Sequence, residues 1–324
     1  MKCQAIFTQA VALLRKAFPA QHATQTPSNE SWSDYEEYQP HVLSLKFIFE
    51  QTTPPLAAPP DFAALLNDAA NYFWELGRYE QSQQMASLAV AIFEKLPQPN
   101  LMDLASAYAI WGEAAAEEGM SGRVIWLRCS VKAIELRRTF LQAPPVGGTY
   151  EEQLLFANSY NDFGAYLLHT GNYEQAEKYL DHALAIKGAV ATEETEGQMF
   201  AEGYQNLAVV CAARNDHEKA KAFMSKAVEL GTKANGPSAA TTWTYNFDWA
   251  NLALARGDYE DALPRHQQVL HRRTGIFGKY GCRTRDSYHA VAVAHQGLRQ
   301  YEQAEYAYSN KRSELDRLIT AGKC

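Results

Sequence analysis

The sequence predicts an all-α fold, an α-solenoid built from pairs of antiparallel helices. Two observations lead to this prediction: the chain repeats itself at nearly constant intervals, and apolar residues inside each repeat recur at helical spacing. The segment from Ala157 to Leu184 aligns with segments that begin at Ala201, Trp243 and Arg285. A single unit of this kind cannot bury its apolar face alone, so neighbouring units are expected to stack.

Every copy carries a short turn that ends in an aromatic residue or a histidine, the anchor, at which the second helix is predicted to begin. Successive anchors are 44, 42 and 42 residues apart, and an earlier copy lies 94 residues upstream of the first of these. The anchors are Tyr79, Tyr173, His217, Tyr259 and Tyr301. The long interval predicts one degenerate copy at Tyr108–Glu135, whose turn, Gly119–Arg123, has a short insertion.

Small residues flank each anchor, nine positions before it and three positions after it. Small side chains at facing positions allow two helices to approach closely, so these residues predict where each pair makes contact. They are Ala70, Gly164, Ala208, Ala250 and Ala292 before the anchor, and Ser82, Ala176, Ala220, Ala262 and Ala304 after it.

This pattern resembles the tetratricopeptide repeat family, over roughly residues 61 to 312. The usual unit of that family has about 34 residues, and the longer unit here resembles the kinesin-light-chain-like subclass. The resemblance implies a right-handed superhelix whose first helices line a concave groove. It also implies a soluble scaffold or adaptor that holds a protein or peptide segment in that groove.

The first sixty residues have a different pattern. Residues 3–18 and 34–50 are predicted to be helices, with Asp34 as a candidate N-cap, and residues 21–31 are predicted to be a loop. A proline-rich connector, Thr52–Pro60, follows. We therefore expect residues 1–60 to form a divergent capping repeat and residues 61–324 to form an array of about six units, interrupted by a proline-glycine break at 143–148.

A second resemblance concerns the stretch from Tyr35 to Leu45 together with Asn67–Tyr79. These segments resemble the C-terminal repeat arm of fungal signal-transduction ATPases. The sequence contains no GxxxxGK[ST] motif, and Gly275-Ile-Phe-Gly278-Lys279 has the wrong spacing for one. The arm is therefore expected to stand without the ATPase module, and the ATPase activity is not carried over.

Composition limits the choice of partners. The net charge is −7 and the pI is about 5.8, so long-range electrostatics disfavour nucleic acid and anionic membranes. Five widely spaced cysteines without a CxxC pair argue against a disulfide framework and against a structural zinc site. Reduced thiols and the absence of an apolar stretch that could span a bilayer point to a cytoplasmic or nuclear protein.

The candidate ligand-binding groove consists of outward positions on the first helices. Amides predominate among them, and an amide can both donate to and accept from an extended peptide backbone. Alternatively, these residues only solvate an open surface. The predicted residues are Asn67, Asn71, Trp74, Glu113, Asn158, Asn161, Glu202, Gln205, Phe247, Asn251 and His289, with Gln296 beside them. The Lys and Arg of the carboxylate-clamp subclass are missing from these positions, which argues against recognition of chaperone C-termini.

Two other functions stay open. In the first, a closed groove binds a small molecule and His169, Glu113 or Glu202 acts as acid or base, in a cyclase- or isomerase-like step of biosynthesis. In the second, the chain regulates a signalling ATPase supplied by another protein. No cofactor is expected. No metal site is expected either, because the histidine spacings match neither HExxH nor an i, i+4 pair.

Basic residues form two clusters, one within residues 123–138 and one within 265–285. Such a cluster is either a solvated second-helix face balanced by nearby carboxylates or a surface that contacts phosphates or acidic partners. The second cluster comprises Arg265, Arg272, Arg273, Lys279, Arg283 and Arg285.

Overall fold

The computed structural model describes residues 2–20, 31–143 and 147–311. Within these ranges all regular secondary structure is helical, which confirms the all-α prediction. In the same ranges, no helix combines the length and the apolar character needed to cross a bilayer. The helices are α1 Lys2–Ala17, α2 Trp32–Gln51, α3 Pro60–Glu75, α4 Tyr79–Phe93, α5 Leu101–Ala116, α6 Arg123–Gln142, α7 Tyr150–His169, α8 Tyr173–Val190, α9 Gly197–Ala213, α10 His217–Asn235, α11 Ala240–Ala255, α12 Tyr259–Phe277, α13 Cys282–Gly297 and α14 Tyr301–Lys311.

The predicted anchors are the first residues of second helices. Helices α4, α8, α10, α12 and α14 begin at Tyr79, Tyr173, His217, Tyr259 and Tyr301, as expected. Three residues join the two helices of each of these pairs, whereas six residues, 117–122, join α5 to α6. The predicted insertion in the degenerate copy is therefore confirmed.

The three-residue turns share one backbone feature, a central residue in the left-handed region. Their φ values lie between 61° and 81°, at Gly77, Gly171, Asn215, Gly257 and Arg299. Glycine adopts this conformation without a Cβ clash and asparagine tolerates it, which explains the first letter of the turn motif in four of the five copies. In three of the turns the next residue is Asn172, Asp216 or Asp258. Its side-chain oxygen accepts a hydrogen bond from a backbone N–H in the first turn of the second helix.

The small residues on either side of the anchors are buried, as the packing argument requires. In the first pair, Ser82 Oγ donates to the carbonyl oxygen of Ala70 at 2.8 Å. That contact joins the position after the anchor to the position before it. The facing positions therefore meet where the sequence predicts.

Two compact units divide the chain. Unit 1 comprises Met1–Tyr166 and His182–Val190, and unit 2 comprises Leu167–Asp181 and Ala191–Cys324. In unit 1, α3 packs on α4, α5 packs on α6, and α5 also contacts α4 and α3. In unit 2, α9 packs on α10, α11 packs on α12, and α13 packs on α14. The first helix α11 also contacts the neighbouring first helices α9 and α13. Within each unit, the pairs are thus stacked as the repeat prediction requires.

At the N-terminus, α1 packs against α2 and α3. Arg15 Nη1 lies 2.5 Å from Asp68 Oδ2, and Trp32 Nε1 donates to Glu75 Oε2 at 2.7 Å. The assignment of Asp34 as N-cap is wrong: α2 begins at Trp32, so Asp34 lies in its first helical turn. The predicted loop at 21–31 lies outside the described residues except for Ser31, and the division at residue 60 stays a prediction.

One packing position differs sharply between repeats, the fifteenth residue of the second helix. In α6 it is Arg137, in α10 it is Gly231 and in α12 it is Arg273. Arg137 is fully buried in unit 1, where Nη1 donates to the Leu155 carbonyl oxygen and to Ser159 Oγ, both at 2.6 Å. The residue that faces this position therefore comes from the first helix of the following pair.

Candidate functional site

Half of the predicted groove residues lie in unit 1, on α3, α5 and α7. Asn67, Trp74 and Glu113 are half-buried, whereas Asn71, Asn158 and Asn161 are buried. Asn71 Nδ2 donates to the backbone carbonyl oxygen of Asn67 at 3.0 Å, so one of its two N–H groups is used inside α3. In unit 1, amides predicted for an open surface are thus partly enclosed by packing.

The other half lie in unit 2, on α9, α11 and α13. Glu202, Gln205, Phe247 and Asn251 are half-buried, whereas His289 and Gln296 are exposed. These residues occupy consecutive first helices that contact one another, so the structure brings part of the predicted set together.

Asp248 joins this set, although sequence reasoning missed it. Its carboxylate accepts a hydrogen bond from Gln205 Nε2 of α9 and another from Asn251 Nδ2, at 3.3 Å, within α11. Asp162 and Asn206 stand at the same repeat position, two residues before the small residue of their first helices. That recurrence of polar residues was the signal that could have found Asp248.

Gln198 extends the same network at the start of α9. Its Nε2 donates to Glu202 Oε1 at 2.9 Å, and its Oε1 accepts from Asn235 Nδ2 of α10. Glu202, Gln205, Asp248 and Asn251 are the first-helix face of unit 2. The hydrogen bonds from Gln205 and Asn251 to Asp248, and the one from Gln198 to Glu202, fix these side-chain rotamers before any ligand arrives.

Burial shapes the electrostatics of this face. It raises the pKa of Asp248, while the hydrogen bonds from Gln205 and Asn251 act in the opposite direction. It also raises the pKa of the adjacent Tyr245 hydroxyl, and the nearby carboxylates of Glu202 and Asp248 raise it further. Tyr245 is therefore uncharged. The Arg273 charge acts on Asp248 in the direction that lowers the pKa of this carboxyl.

Phe247 and His289 point their rings at second helices. The Phe247 ring packs edge-on against His266 of α12 at a centroid distance of 5.3 Å, and the Arg273 guanidinium lies 4.1 Å from the Phe247 centroid. His289 contacts Tyr308 of α14, with ring centroids 5.6 Å apart. Both rings therefore contribute to packing within unit 2.

The residues proposed for acid–base chemistry do not all fall in one unit. Glu113 belongs to unit 1, while Glu202 and His169 belong to unit 2. His169 is exposed and lies close enough to Asp248 to lower the pKa of that carboxyl. Among the described residues, no group of three or more His, Cys, Asp or Glu side chains could hold a metal ion.

One segment of the helical pairs has a sequence that matches a known family. Residues 155–233, which span α7 to α10, match the tetratricopeptide repeat family. The matched segment is thus a tetratricopeptide repeat region, and the other helical pairs share its paired architecture. No curated protein shows significant sequence similarity to the chain.

Similar solved structures cover more of the chain than the matched segment does. A Rap protein complexed with competence and sporulation factor has a TM-score of 0.56 at 17% identity, covering 88% of this chain and 71% of that one. BtubC from P. vanneervenii has a TM-score of 0.42 at 12% identity, covering 97% and 91%. A signal-transduction ATPase with a tetratricopeptide repeat sensor, from Pyrococcus horikoshii, has a TM-score of 0.47 at 17% identity, covering 87% and 40%. At such identity, the likeness to the Rap protein shows a shared fold alone.

Proposed function

We propose that this protein is a non-catalytic interaction module that binds a polar peptide segment of a partner protein on the first-helix face of unit 2. The observation that carries the proposal is the bridge between adjacent repeats, in which Asp248 holds Gln205 of α9 and Asn251 of α11 in fixed orientations. A preorganised face loses less side-chain entropy when a ligand binds.

The face offers the groups that a peptide backbone needs. Gln205 and Asn251 each donate one amide N–H to Asp248. Among the described residues, no group donates to Gln205 Oε1 or Asn251 Oδ1, so both oxygens can accept from peptide N–H groups. Glu202 and Asp248 add negative charge, which favours a segment that carries lysine or arginine.

The complex formed by the Rap protein supports the same class of function. That protein, which shares the fold, is complexed with competence and sporulation factor. Binding by a tetratricopeptide-like chain is thus compatible with this architecture. The chemistry of the face favours a segment that presents hydrogen-bond donors and positive charge.

The test begins with peptides selected from a random displayed library on the intact protein. The Gln205→Ala/Asn251→Ala double variant is expected to weaken the affinity of the selected peptides about tenfold, because two backbone hydrogen bonds are lost. Fluorescence anisotropy with the labelled peptides measures the change.

The matched control is Gln175→Ala/Gln303→Ala, which removes two exposed amides from second helices α8 and α14. This control is expected to bind like the parent protein. Equal affinity of both double variants, or a selection that yields no binding peptide, would contradict the proposal.

A further inference from the structure

The segment from Ala262 to Arg285 has an unusual charge balance. It contains six Lys and Arg residues and no Asp or Glu, in a chain whose net charge is −7. Some basic residues on other second helices have carboxylate partners close by, such as Lys132 with Glu135 and Lys178 with Glu174. Within the segment itself, Arg265 pairs with Asp261, just before it.

C-terminal to Arg265, carboxylates no longer balance the positive charge on one side of α12. Arg272 is exposed, and among the described residues no carboxylate lies within ion-pair distance of it. Its guanidinium lies 5.4 Å from the ring centroid of Trp243, which holds the cation by a cation–π contact and leaves its N–H groups available for an anion. The neighbouring His271 is also exposed.

An open crevice of about 690 Å³ lies beside these two residues in unit 2. Its polar lining includes Ser238, Gln267 and Thr274 in addition to Arg272 and His271, and the lining contains no carboxylate. Leu270 and Ile276 supply an apolar part of the wall. The lining therefore combines positive charge and polar side chains with a larger apolar surface. The Thr274 hydroxyl already donates to the Leu270 carbonyl oxygen at 2.7 Å.

One wall of the crevice is fixed by α11. Trp243 Nε1 donates to the carbonyl oxygen of Pro237 at 2.9 Å, and Thr242 Oγ1 donates to that of Gly236 at 2.8 Å. These bonds hold the connection that carries Ser238. The Trp243 ring thus positions both the connection and Arg272.

The preceding repeat provides an internal comparison. Forty-two residues earlier, Glu229 and Leu230 occupy the positions of His271 and Arg272 on α10. Leu230 is buried and Glu229 carries the opposite charge. The cationic crevice is therefore a property of α12 and not of the repeat in general.

We propose that this crevice binds a short acidic peptide segment of a partner protein, with an apolar side chain of that segment against Leu270 and Ile276. The lining residues of α12 run from Gln267 to Ile276, which corresponds to about 14 Å along a helix and to roughly four residues of extended peptide. Arg272 and His271 pair with the carboxylates of the segment, and the apolar wall selects a peptide over a bare anion. This surface is separate from the first-helix face of unit 2, whose carboxylates would repel such a ligand.

Fluorescence anisotropy with the intact protein tests the proposal, using a labelled peptide of glutamates that flank one leucine. We expect saturable binding that weakens as salt is raised. The His271→Gln/Arg272→Gln variant should weaken binding about tenfold or more. Both side chains are exposed, so this variant retains the fold.

Lys178→Gln serves as the matched control, because it removes one exposed positive charge from α8 and should leave the affinity unchanged. A peptide with glutamine in place of every glutamate should fail to bind. No saturable binding by the parent protein, or unchanged affinity of the double variant, overturns the proposal.

Two further arms separate this surface from other ligands and from the proposed function. Tighter binding of duplex DNA than of the acidic peptide, or full competition by inorganic phosphate at millimolar concentration, overturns the assignment to a peptide. The Gln205→Ala/Asn251→Ala variant should bind the acidic peptide normally. A loss of acidic-peptide affinity in that variant would place the peptide on the first-helix face and overturn the crevice.

Discussion

The α6–α7 junction of unit 1 and the α10–α11 junction of unit 2 fill the same repeat position in opposite ways. In unit 1 the second helix supplies the large Arg137 and the next first helix supplies the small Ser159. In unit 2 the second helix supplies Gly231 and the next first helix supplies Tyr245, whose ring occupies the space that a Cβ at Gly231 would need. Ser159 and Tyr245 both stand five residues before the small residue of their helices, Gly164 and Ala250.

The comparison shows that the repeat preserves the filled volume at this junction and not the residue type. Packed interiors tolerate side-chain exchanges that keep the total volume. Here one helix gains the large side chain and the facing helix takes the small one. A third junction, Arg273 with Ser287 in unit 2, repeats the unit 1 arrangement: Arg273 Nη1 donates to Ser287 Oγ at 3.3 Å. Unit 2 therefore contains both arrangements, one at the α10–α11 junction and the other at the α12–α13 junction.

The largest effect is expected at Arg137. Arg137→Ala should lower the free energy of unfolding by about 4 kcal/mol, since it leaves a cavity and removes the donor for Leu155, Ser159 and Ser106 in the interior. Urea denaturation followed by circular dichroism measures the loss. Arg273→Ala is the comparator and should cost about half as much, because the Arg273 hydrogen bonds are longer. Equal losses would show that the two arginines stabilise their junctions alike.

The next effect is expected at Gly231. Gly231→Leu should cost about 3 kcal/mol, because the new side chain overlaps the buried Tyr245 ring. The double variant Gly231→Arg/Tyr245→Ser transfers the arrangement of the α12–α13 junction and should recover part of the stability that Gly231→Arg loses alone. Additive losses in this double-mutant cycle would refute the volume argument.

A pH effect should distinguish the α12 region from the other second helices. His266 is fully buried, and burial, together with the nearby Arg273 charge, lowers its pKa to about 4 from an ordinary 6.5. The unfolded chain therefore binds the proton more strongly than the folded chain does. The stabilisation is complete above about pH 6.5 and is lost as the pH falls toward about 4. The free energy of unfolding should decrease by about 2 kcal/mol between about pH 7.5 and pH 5.

The neighbouring repeats supply the control for that prediction. Met224 and Leu180 occupy the equivalent position on α10 and α8, and both are fully buried. His266→Met should therefore preserve the packing and remove this part of the pH dependence, as measured by urea titrations at each pH. An unchanged pH profile in the variant would assign the effect to other groups.

The smallest effect concerns the turns. Arg299 has a φ of 61°, where three of the other four turns have glycine and one has asparagine. Arg299→Gly should raise the free energy of unfolding by about 1 kcal/mol through relief of the left-handed backbone. Arg256→Gly, at an ordinary φ of −84° in the preceding turn, should give no gain, and thermal melts compare the two.

Much of the local structure could be predicted from sequence. The anchors, the short turns, the insertion before Arg123 and the buried small residues all follow from interactions within one helical hairpin. The site was harder to predict. Asn161 stands at the same repeat position as the half-buried Asn67 and Gln205, yet it is buried, and so is Asn158. Asp248 was missed because one of its two donors, Gln205, belongs to α9 and reaches the carboxylate only when α9 and α11 pack together.

The sequence by itself determined the helical pairs, their turns and the position of each close contact, because those depend on backbone conformation and on side chains a few residues apart. The tertiary structure alone decided which polar side chains are enclosed, which are linked across helices, and where Arg272 meets an open crevice. Those outcomes depend on side-chain volumes and hydrogen-bond donors contributed by helices distant in sequence, so a pattern read along one helix does not contain them.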